Sequence, residues 1–516
     1  MIIKDWEEIK MSTQIWKQQK KVVIAVGIVV LLFGLIYIAD KGQSTEVVDK
    51  SHVINNLEEE QKHNPAVIEM FTDSTQHSEY NFEQLYKIEE DIILQDEIEV
   101  YIKDDYRTII FKPLTDDVKL IAGDQLSHKI EFSTLYKTIK KNNPDADIDE
   151  NRMHGFRFVL LEGITEIDDE YFKECYPMNE VILPSTLEKI GKNSFADGYL
   201  TAVKMQDGVK TLGEGAFRNN PINHLRLSST IKEIPSYAFE NSAYDLYRLY
   251  IPEGVEKIKS KAFATTEDVK NTPGHGAREI FFPETLTTIE EQAFLNHQPI
   301  IIRFSEGLEY IGEKAFYGEG FEINKLPTTL QTVKDQAFKG PYLSESPFDL
   351  LIPKGMKEIG YRAFDSVDMR IAFAERVEEL VIDEEAFYGN ISDTIIIPSG
   401  VKEIRNGAFY GEYLSLVEME EGIKTFAVDA FIGSDDLPSI TLPESIETFI
   451  PAKSNEDIKN LLFAFHHTDF EIQGDKESEL LEKVKESGTG LYEYRGEEWI
   501  DQYKIEEEED ESKEDN

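Results

Sequence analysis

An alternating run of oxygen-bearing side chains near residue 150 resembles the start of a calcium-binding loop. Three aspartates and an asparagine occupy every second position of Asp145–Asn151, as ligands do in such a loop. A complete loop also needs glycine at its sixth position and a bidentate glutamate at its twelfth, where this chain has Glu150 and Phe156. We therefore interpret the segment as a solvated acidic linker, and no metal site is expected here.

Residues suited to nucleophilic or metal chemistry are present, but their spacing does not assemble a site. The ten histidines form no HExxH motif, and the adjacent pair His466 and His467 would point apart on a strand. There is no GxSxG elbow and no glycine-rich phosphate loop after a strand. The single cysteine, Cys175, excludes an intramolecular disulfide. The sequence therefore predicts a protein that is not an enzyme and needs no cofactor or resident metal.

The composition indicates a large folded chain with a strongly acidic surface. The 516 residues are 41% apolar and include 30 phenylalanines, so a large buried core is expected. One hundred acidic side chains against 54 basic ones give a formal net charge of −46. Such a surface repels phosphate backbones, so nucleic acid is not expected to be a partner.

From about residue 160 the chain repeats one apolar pattern twelve times, and each copy ends at a phenylalanine. Successive phenylalanines are 22 to 26 residues apart, with one interval of 31. Aliphatic residues precede most of them by five and eight positions, and a β-prone triplet, often closed by proline, lies further upstream. One coil cannot bury its own apolar ridge, whereas stacked coils form a continuous core, so the period predicts a solenoid. The repeat phenylalanines are Phe172, Phe195, Phe217, Phe239, Phe263, Phe294, Phe316, Phe338, Phe364, Phe387, Phe409 and Phe431.

These copies resemble the BspA-like leucine-rich-repeat family, whose pattern runs LPxxLxxIGxxAFxxCxxLxxIxLP. Ile190-Gly191 with Phe195, and Ile311-Gly312 with Ala315-Phe316, match it closely. The resemblance covers about residues 156–475 and implies a mainly β solenoid of about twelve coils, most of them 22–24 residues long. It also implies a surface protein that binds partners or adheres, with no catalytic residues to carry over.

Three positions add detail to the resemblance. Cys175 falls at the buried cysteine position of the family pattern, so we expect it to pack in the core. Glu379 stands where the copy ending at Phe387 should have an aliphatic residue. The copy that begins at Ser445 lacks its Ala-Phe, so the array is expected to end there.

The middle residue of each β-prone triplet is expected to face outward, because its neighbours are apolar and strand side chains alternate. Strands in register stand about 4.8 Å apart, so these residues would form a ladder, which we call the outward row.

The row has four bases and one acid in a chain with almost two acids per base. A basic and aromatic stripe suits an anionic glycan or an acidic protein segment. The alternative is a solvated sheet face that relieves repulsion between acids. The candidate ligand-binding residues are Lys204, Arg226, Tyr250, Phe281, Arg303 and Lys325, and the other members are Ile182, Leu351, Ile396, Glu418 and Thr441.

The two longest intervals supply a second candidate surface. Their extra residues lie in Thr265–Ala277 and near Gly340–Pro347, both rich in turn-forming residues. Insertions in solenoids project as loops, often from the binding side. Tolerated loops without a function are the alternative.

An uncharged apolar run near the N-terminus predicts a membrane anchor. Val22–Ala39 would span roughly 27 Å as a helix, enough for most of a bilayer's hydrocarbon core. Lys17, Lys20 and Lys21 precede the run, so the positive-inside bias keeps the N-terminus in the cytoplasm and exports the rest. A cleaved signal peptide is the alternative, but its apolar part is usually shorter, about 7–15 residues, and Tyr37 sits where a small residue should be.

The expected organisation follows from these segments and from the composition of the flanks. In residues 44–155 we expect helices at 55–69 and 82–94 and strands at 97–102, 107–112 and 118–122. The predicted parts are a cytoplasmic segment at 1–21, a transmembrane helix at 22–39, a stalk or small α+β module at 40–155, the solenoid at 156–475, a C-terminal cap at 476–505 and an acidic tail at 506–516.

The sequence thus predicts a non-catalytic binding or adhesion protein anchored in a bacterial cell membrane by one helix, with its repeats outside the cytoplasm. Its expected partner is a protein or an anionic glycan at the cell surface. The alternative is a structural or regulatory scaffold of the envelope that recruits a partner protein at the membrane.

Overall fold

The computed structural model describes residues 75–450, with short gaps, and the strand residues 492–495 and 498–501. The repeats form a β solenoid of about eleven turns with almost no helix. Most turns contribute two strands, one to each of two strand sets. The first set contains the β-prone triplets, and the second contains the aliphatic residue that lies five positions before the phenylalanine.

The first strand set forms four sheets, ordered β1-β2-β3-β5-β7-β9-β11, β13-β15-β17-β19, β21-β23 and β25-β27. Its strands are β1 (Tyr86–Lys87), β2 (Ile98–Ile102), β3 (Thr108–Pro113), β5 (Phe156–Leu160), β7 (Met178–Ile182), β9 (Ala202–Lys204), β11 (His224–Arg226), β13 (Leu246–Tyr250), β15 (Ala277–Phe281), β17 (Ile301–Arg303), β19 (Glu322–Ile323), β21 (Phe348–Ile352), β23 (Met369–Phe373), β25 (Thr394–Ile397) and β27 (Leu416–Met419).

The second strand set forms two parallel sheets in chain order, from β4 to β10 and from β12 to β29. Its strands are β4 (Val118–Leu120), β6 (Ile164–Ile167), β8 (Lys189–Ile190), β10 (Thr211–Leu212), β12 (Glu233–Ile234), β14 (Lys257–Ile258), β16 (Thr288–Ile289), β18 (Tyr310–Ile311), β20 (Thr332–Val333), β22 (Glu358–Ile359), β24 (Leu380–Ile382), β26 (Val401–Ile404), β28 (Thr425–Ala427) and β29 (Thr448–Ile450). The remaining elements are helix α1 (Phe132–Asn142), two 3-10 helices (His77–Glu79 and Phe82–Gln84) and an antiparallel hairpin of β30 (Tyr492–Arg495) and β31 (Glu498–Asp501).

The segment before the repeats continues both strand sets. β3 pairs in parallel with β5, and β4 pairs in parallel with β6, so residues 108–120 stack on the first repeat as a further turn would. The strands expected at 97–102, 107–112 and 118–122 are present as β2, β3 and β4. The helix expected over 82–94 was wrong in its described part, which is a 3-10 turn followed by β1. Helix α1 was not expected, although Leu135 and Ile139 have helical spacing and are buried.

The predicted transmembrane run at 22–39 and the helix at 55–69 lie outside the described residues. Among the described residues, no helix is both long enough and apolar enough to cross a bilayer.

The core is a ladder of phenylalanine rings that runs through the whole array. All twelve repeat phenylalanines are at most 4% exposed. Successive ring centroids lie 4.9–5.6 Å apart, with interplanar angles of 1° to 16°. Aliphatic residues five and eight positions before most of the rings, such as Ile311 and Leu308 before Phe316, are buried beside the ladder. The predicted solenoid and its inward positions are therefore confirmed.

Two sequence features of the repeat have direct structural causes. A Cβ atom on Gly191 or Gly312 would lie 2.5 Å from backbone atoms of the preceding coil, so only glycine permits this approach. Glu379, the departure from the aliphatic pattern, has a left-handed φ of 58° and is exposed. Val377 and Leu380 on either side of it are fully buried, so the coil keeps its core contacts despite the glutamate.

Candidate binding surface

The centre of the outward row is a three-residue ladder on β13, β15 and β17. Tyr250 pairs in register with Phe281, and Phe281 pairs with Arg303. The residues just before them on these strands are fully buried, so the three side chains project away from the core. The rings of Tyr250 and Phe281 stack with centroids 4.7 Å apart at 15°, and the Arg303 guanidinium lies 5.6 Å from the Phe281 centroid. Phe281 therefore has one face against tyrosine and the other against arginine, and it presents its edge outward.

A carboxylate bound by two arginines lies beside this ladder. Arg248 Nε donates to Glu279 Oε2 at 2.8 Å, and an Arg303 terminal nitrogen lies 3.3 Å from Glu279 Oε1. The side chains of Arg248, Glu279 and Arg303 are 27%, 18% and 43% exposed. Burial raises the pKa of the neighbouring Tyr250 hydroxyl, which keeps it protonated. Arg248, Arg303 and Glu279 together carry a net charge of +1 (2 − 1 = 1).

Sequence reasoning missed Arg248 and Glu279, although a signal for both was present. Each stands two residues before a member of the outward row, and residues two apart on a strand share a face. Arg248 pairs in register with Glu279, which places opposite charges directly across the strands. The outward surface is therefore two residues wide on these strands.

A buried histidine holds β15 in place after the insertion within the 31-residue interval from Phe263 to Phe294. The backbone N–H of Ala277 donates to His297 Nε2 at 3.1 Å, and His297 Nδ1 lies 3.0 Å from the carbonyl oxygen of Phe263. Because Nε2 accepts a hydrogen bond, Nδ1 carries the proton and donates it to that carbonyl. The ring packs edge-on against Phe263 and Phe294. These contacts bring the chain back into register, so Phe281 can stack on Tyr250.

The other two basic candidates in register form a separate ladder. Lys204 pairs with Arg226 across β9 and β11, and Ile182 precedes them on β7. Burial, followed by the charge of Arg226, lowers the pKa of half-buried Lys204. Arg226 is exposed. Strand pairing among the described residues joins the row as Ile182–Lys204–Arg226 and as Tyr250–Phe281–Arg303, and not as the single ladder that we expected.

The prediction that Ile182 lies on an open surface was wrong. Its side chain points away from the phenylalanine ladder, but it is 1% exposed because it belongs to a second buried cluster. This second cluster contains Tyr101, Ile110, Val159, Leu161 and Ile182, with Tyr80, Phe82 and Leu85 packed against it.

Lys325 does not continue the ladder, which corrects its assignment. Ile302 pairs with Ile323, and Arg303 is one residue after Ile302 whereas Lys325 is two residues after Ile323, so the two are out of register. The cause is one extra residue between this strand and its phenylalanine. Lys325 is exposed, and its Nζ lies 3.5 Å from Glu306.

The described C-terminal part of the outward row contains two apolar residues and one acid, and no base. Leu351 and Ile396 are 56% and 53% exposed, and Glu418 next to Ile396 is also exposed. Thr441 lies outside the described residues. The basic character of the row is thus limited to Lys204, Arg226 and Arg303.

Other candidate chemistry is sparse in the described part of the chain. No group of three His, Cys, Asp or Glu side chains there could hold a metal ion. Cys175 is buried, as expected, and burial raises the pKa of its thiol to about 12. Residues 147–154, the pair His466 and His467 and most of both insertions lie outside the described residues.

The repeats match the family model of the BspA type leucine rich repeat region in six copies, over residues 159–273, 274–369 and 345–461. These matches cover more than half of the chain. The chain belongs to this family. The resemblance read from the phenylalanine copies is thereby confirmed.

Solved structures similar to this BspA type chain include three bacterial leucine-rich repeat proteins. A leucine-rich repeat protein from Bacteroides ovatus is 15% identical with a TM-score of 0.41, and the match covers 70% of this chain and all of that one. A leucine-rich repeat protein from Eubacterium ventriosum is 19% identical with a TM-score of 0.34, over 69% and 91% of the two chains. A leucine rich cell surface protein from Faecalibacterium prausnitzii is 17% identical with a TM-score of 0.29, over 72% and 97%. No curated protein matches the chain.

Proposed function

We propose that this protein is a non-catalytic cell-surface binding protein that engages an acidic ligand through the outward face of β13, β15 and β17. The observation that carries the proposal is the stacked Tyr250–Phe281 pair with Arg303 above it. Family membership supports the general class, because leucine-rich-repeat arrays of this kind are surface proteins and in general binding scaffolds.

The chemistry of the three residues suits an interface. Binding energy concentrates in tyrosine, tryptophan and arginine anchors that are held rigid before the partner arrives. Here the stacking and the strand register fix both rings, so little side-chain entropy is lost on binding. The side chain of Arg303 is 43% exposed, so its guanidinium remains within reach of an anionic group.

The binding experiment compares the full chain with a fourfold variant of this face, Arg248→Ala, Tyr250→Ala, Phe281→Ala and Arg303→Ala. Both proteins are applied to an array of acidic peptides and anionic glycans. The variant should lose roughly tenfold or more in affinity for the ligands that the natural chain binds, because two cations and two rings are removed. The salt dependence of any remaining binding should flatten, since fewer charges are left to be screened.

A matched control makes the same change in charge and also removes two aromatic rings, at other places on the array. Lys210→Ala, Lys232→Ala, Tyr310→Ala and Tyr317→Ala also remove two exposed lysines and two partly exposed tyrosines. The control should bind like the natural chain. Undiminished binding by the outward-face variant, or an equal loss in the control, would contradict the proposal.

We also propose that the apolar run Val22–Ala39 anchors the protein in the membrane, with the repeats outside the cytoplasm. The support is the length of the run and the three lysines before it. On intact cells, added protease should degrade the repeats while the N-terminal segment stays with the membrane fraction. Recovery of a soluble mature chain that begins near Asp40 would contradict the anchor and favour a cleaved signal peptide.

A further inference from the structure

We propose that Glu279 is an internal ligand that occupies the anion position between Arg248 and Arg303, and that an acidic polypeptide segment binds by taking its place. The inference rests on the proposed function, because it concerns the same outward face. It adds the class of the ligand and the residue that sets the affinity for it.

The geometry of the three charged groups supports an exchangeable carboxylate. Glu279 uses one oxygen for each arginine, so a single carboxylate joins β13 to β17 across β15. The arginines are partly open to solvent, at 27% and 43%, and ion pairs of such groups contribute little net stability, about 0–1 kcal/mol. A carboxylate from a partner can therefore replace that of Glu279 with little loss of fold stability.

The orientation of the rings favours a polypeptide over a glycan. A sugar ring needs an open aromatic face to pack against, but Phe281 has Tyr250 on one face and Arg303 on the other. Tyr250 has at most one open face. What the pair offers to a partner is ring edges, which carry the positive end of the aromatic quadrupole. Carbonyl and carboxylate oxygens, and aromatic faces in an edge-to-face contact, are the groups that such edges attract.

The overall charge of the chain makes the internal carboxylate important. A chain of net charge −46 repels an acidic segment, but salt screens distant charges beyond roughly 10 Å, so the local groups decide whether binding occurs. Two arginines and one glutamate give this site a local charge of +1 (2 − 1 = 1), and neutralising Glu279 raises it to +2. Glu279 thus limits how strongly the face attracts an anion.

The test measures binding of two probes, poly-L-glutamate and polygalacturonate, to the full chain. Glu279→Gln should bind poly-L-glutamate roughly three- to tenfold more tightly than the natural chain, because both guanidiniums become available for charge-assisted hydrogen bonds. Glu418→Gln is the matched control, an exposed acid of the same outward row with the same charge change, and its affinity should stay the same. In an Arg248→Ala, Arg303→Ala background, the gain from Glu279→Gln should disappear.

Each other outcome overturns a defined part of the inference. An unchanged or weaker affinity of Glu279→Gln for poly-L-glutamate shows that Glu279 is not a competitor. Glu279→Ala should then also bind poly-L-glutamate no more tightly than the natural chain, which excludes a local effect of the glutamine side chain. An equal or larger gain for polygalacturonate overturns the polypeptide assignment.

The proposed function fails in a different way. If the fourfold outward-face variant loses its ligand while Glu279→Gln changes nothing, the binding face stands and the internal ligand falls. If the fourfold variant binds as the natural chain does, the binding face itself falls, and with it this inference.

Discussion

Replacement of Phe316 by alanine tests the phenylalanine ladder at its centre. The ring is 2% exposed and lies between Phe294, 5.2 Å away at 5°, and Phe338, 5.3 Å away at 2°. Phe304 and Phe282 add edge-to-face contacts at 5.7 and 6.2 Å. Truncation removes all of these contacts and leaves a cavity between coils, so Phe316→Ala should lower the free energy of unfolding by about 3–5 kcal/mol.

The loss should spread to neighbouring coils, because each repeat is stabilised by its contacts with the next one. Urea unfolding followed by circular dichroism gives the overall change, and hydrogen exchange in β16, β18 and β20 shows its extent along the array. Phe281→Ala is the matched control, since it removes the same ring from the partly exposed outward face. It should cost only roughly 1 kcal/mol, the value of a stacked aromatic pair. Equal losses for the two variants would refute the assignment of the repeat's inward face.

Three further changes probe other parts of the structure. Glu99→Gln should reduce the pH dependence of stability in acid, because the hydrogen bond from Lys87 and further contacts lower the pKa of Glu99 from 4.5 to about 2. The ionised carboxylate stabilises the fold above pH 4.5, and this contribution is lost as the pH falls towards 2. A melting temperature that falls by the same amount in both proteins over that pH range would contradict this. Gly312→Ala should cost roughly 1–3 kcal/mol, because its methyl group would lie 2.5 Å from the preceding coil, and an unchanged melting temperature would show that the coils can separate. Cys175 should resist a thiol reagent in the native chain and react on unfolding, because burial raises its pKa to about 12; rapid native labelling would count against that.

The fold could be predicted from the sequence because every coil repeats nearly the same pattern of buried apolar residues. Ile311 and Phe316 recur at the same offset as Ile190 and Phe195, so one interpretation of the period accounts for the whole core. The site could be predicted only in part, because its members depend on register between coils. Tyr250 and Phe281 lie in coils with the standard offset from strand to phenylalanine, and they meet as expected.

The remaining differences arise from single residues and from contacts distant in sequence. One extra residue between Ile323 and Phe338 moves Lys325 out of the ladder. The spacing of 22 residues from Phe316 to Phe338 is the usual one and gives no sign of it. Ile182 lies in a buried cluster against which Tyr80 and Phe82 pack, about a hundred positions earlier, and no local pattern indicates this packing. The pairing of Glu279 with Arg248 and Arg303 involves a second outward residue on β13 and on β15, which the triplet pattern does not include.

Hydrogen exchange of the full chain with and without poly-L-glutamate tests the central claim most directly. If the outward face of β13, β15 and β17 binds acidic ligands, amides around Arg248–Tyr250, Glu279–Phe281 and Ile301–Arg303 should exchange more slowly when the polymer is present. Strands of the second set, such as β14, β16 and β18, should be unaffected because they lie apart from this face. Protection confined to the second strand set or to the insertions, with none at β13, β15 and β17, would contradict the account.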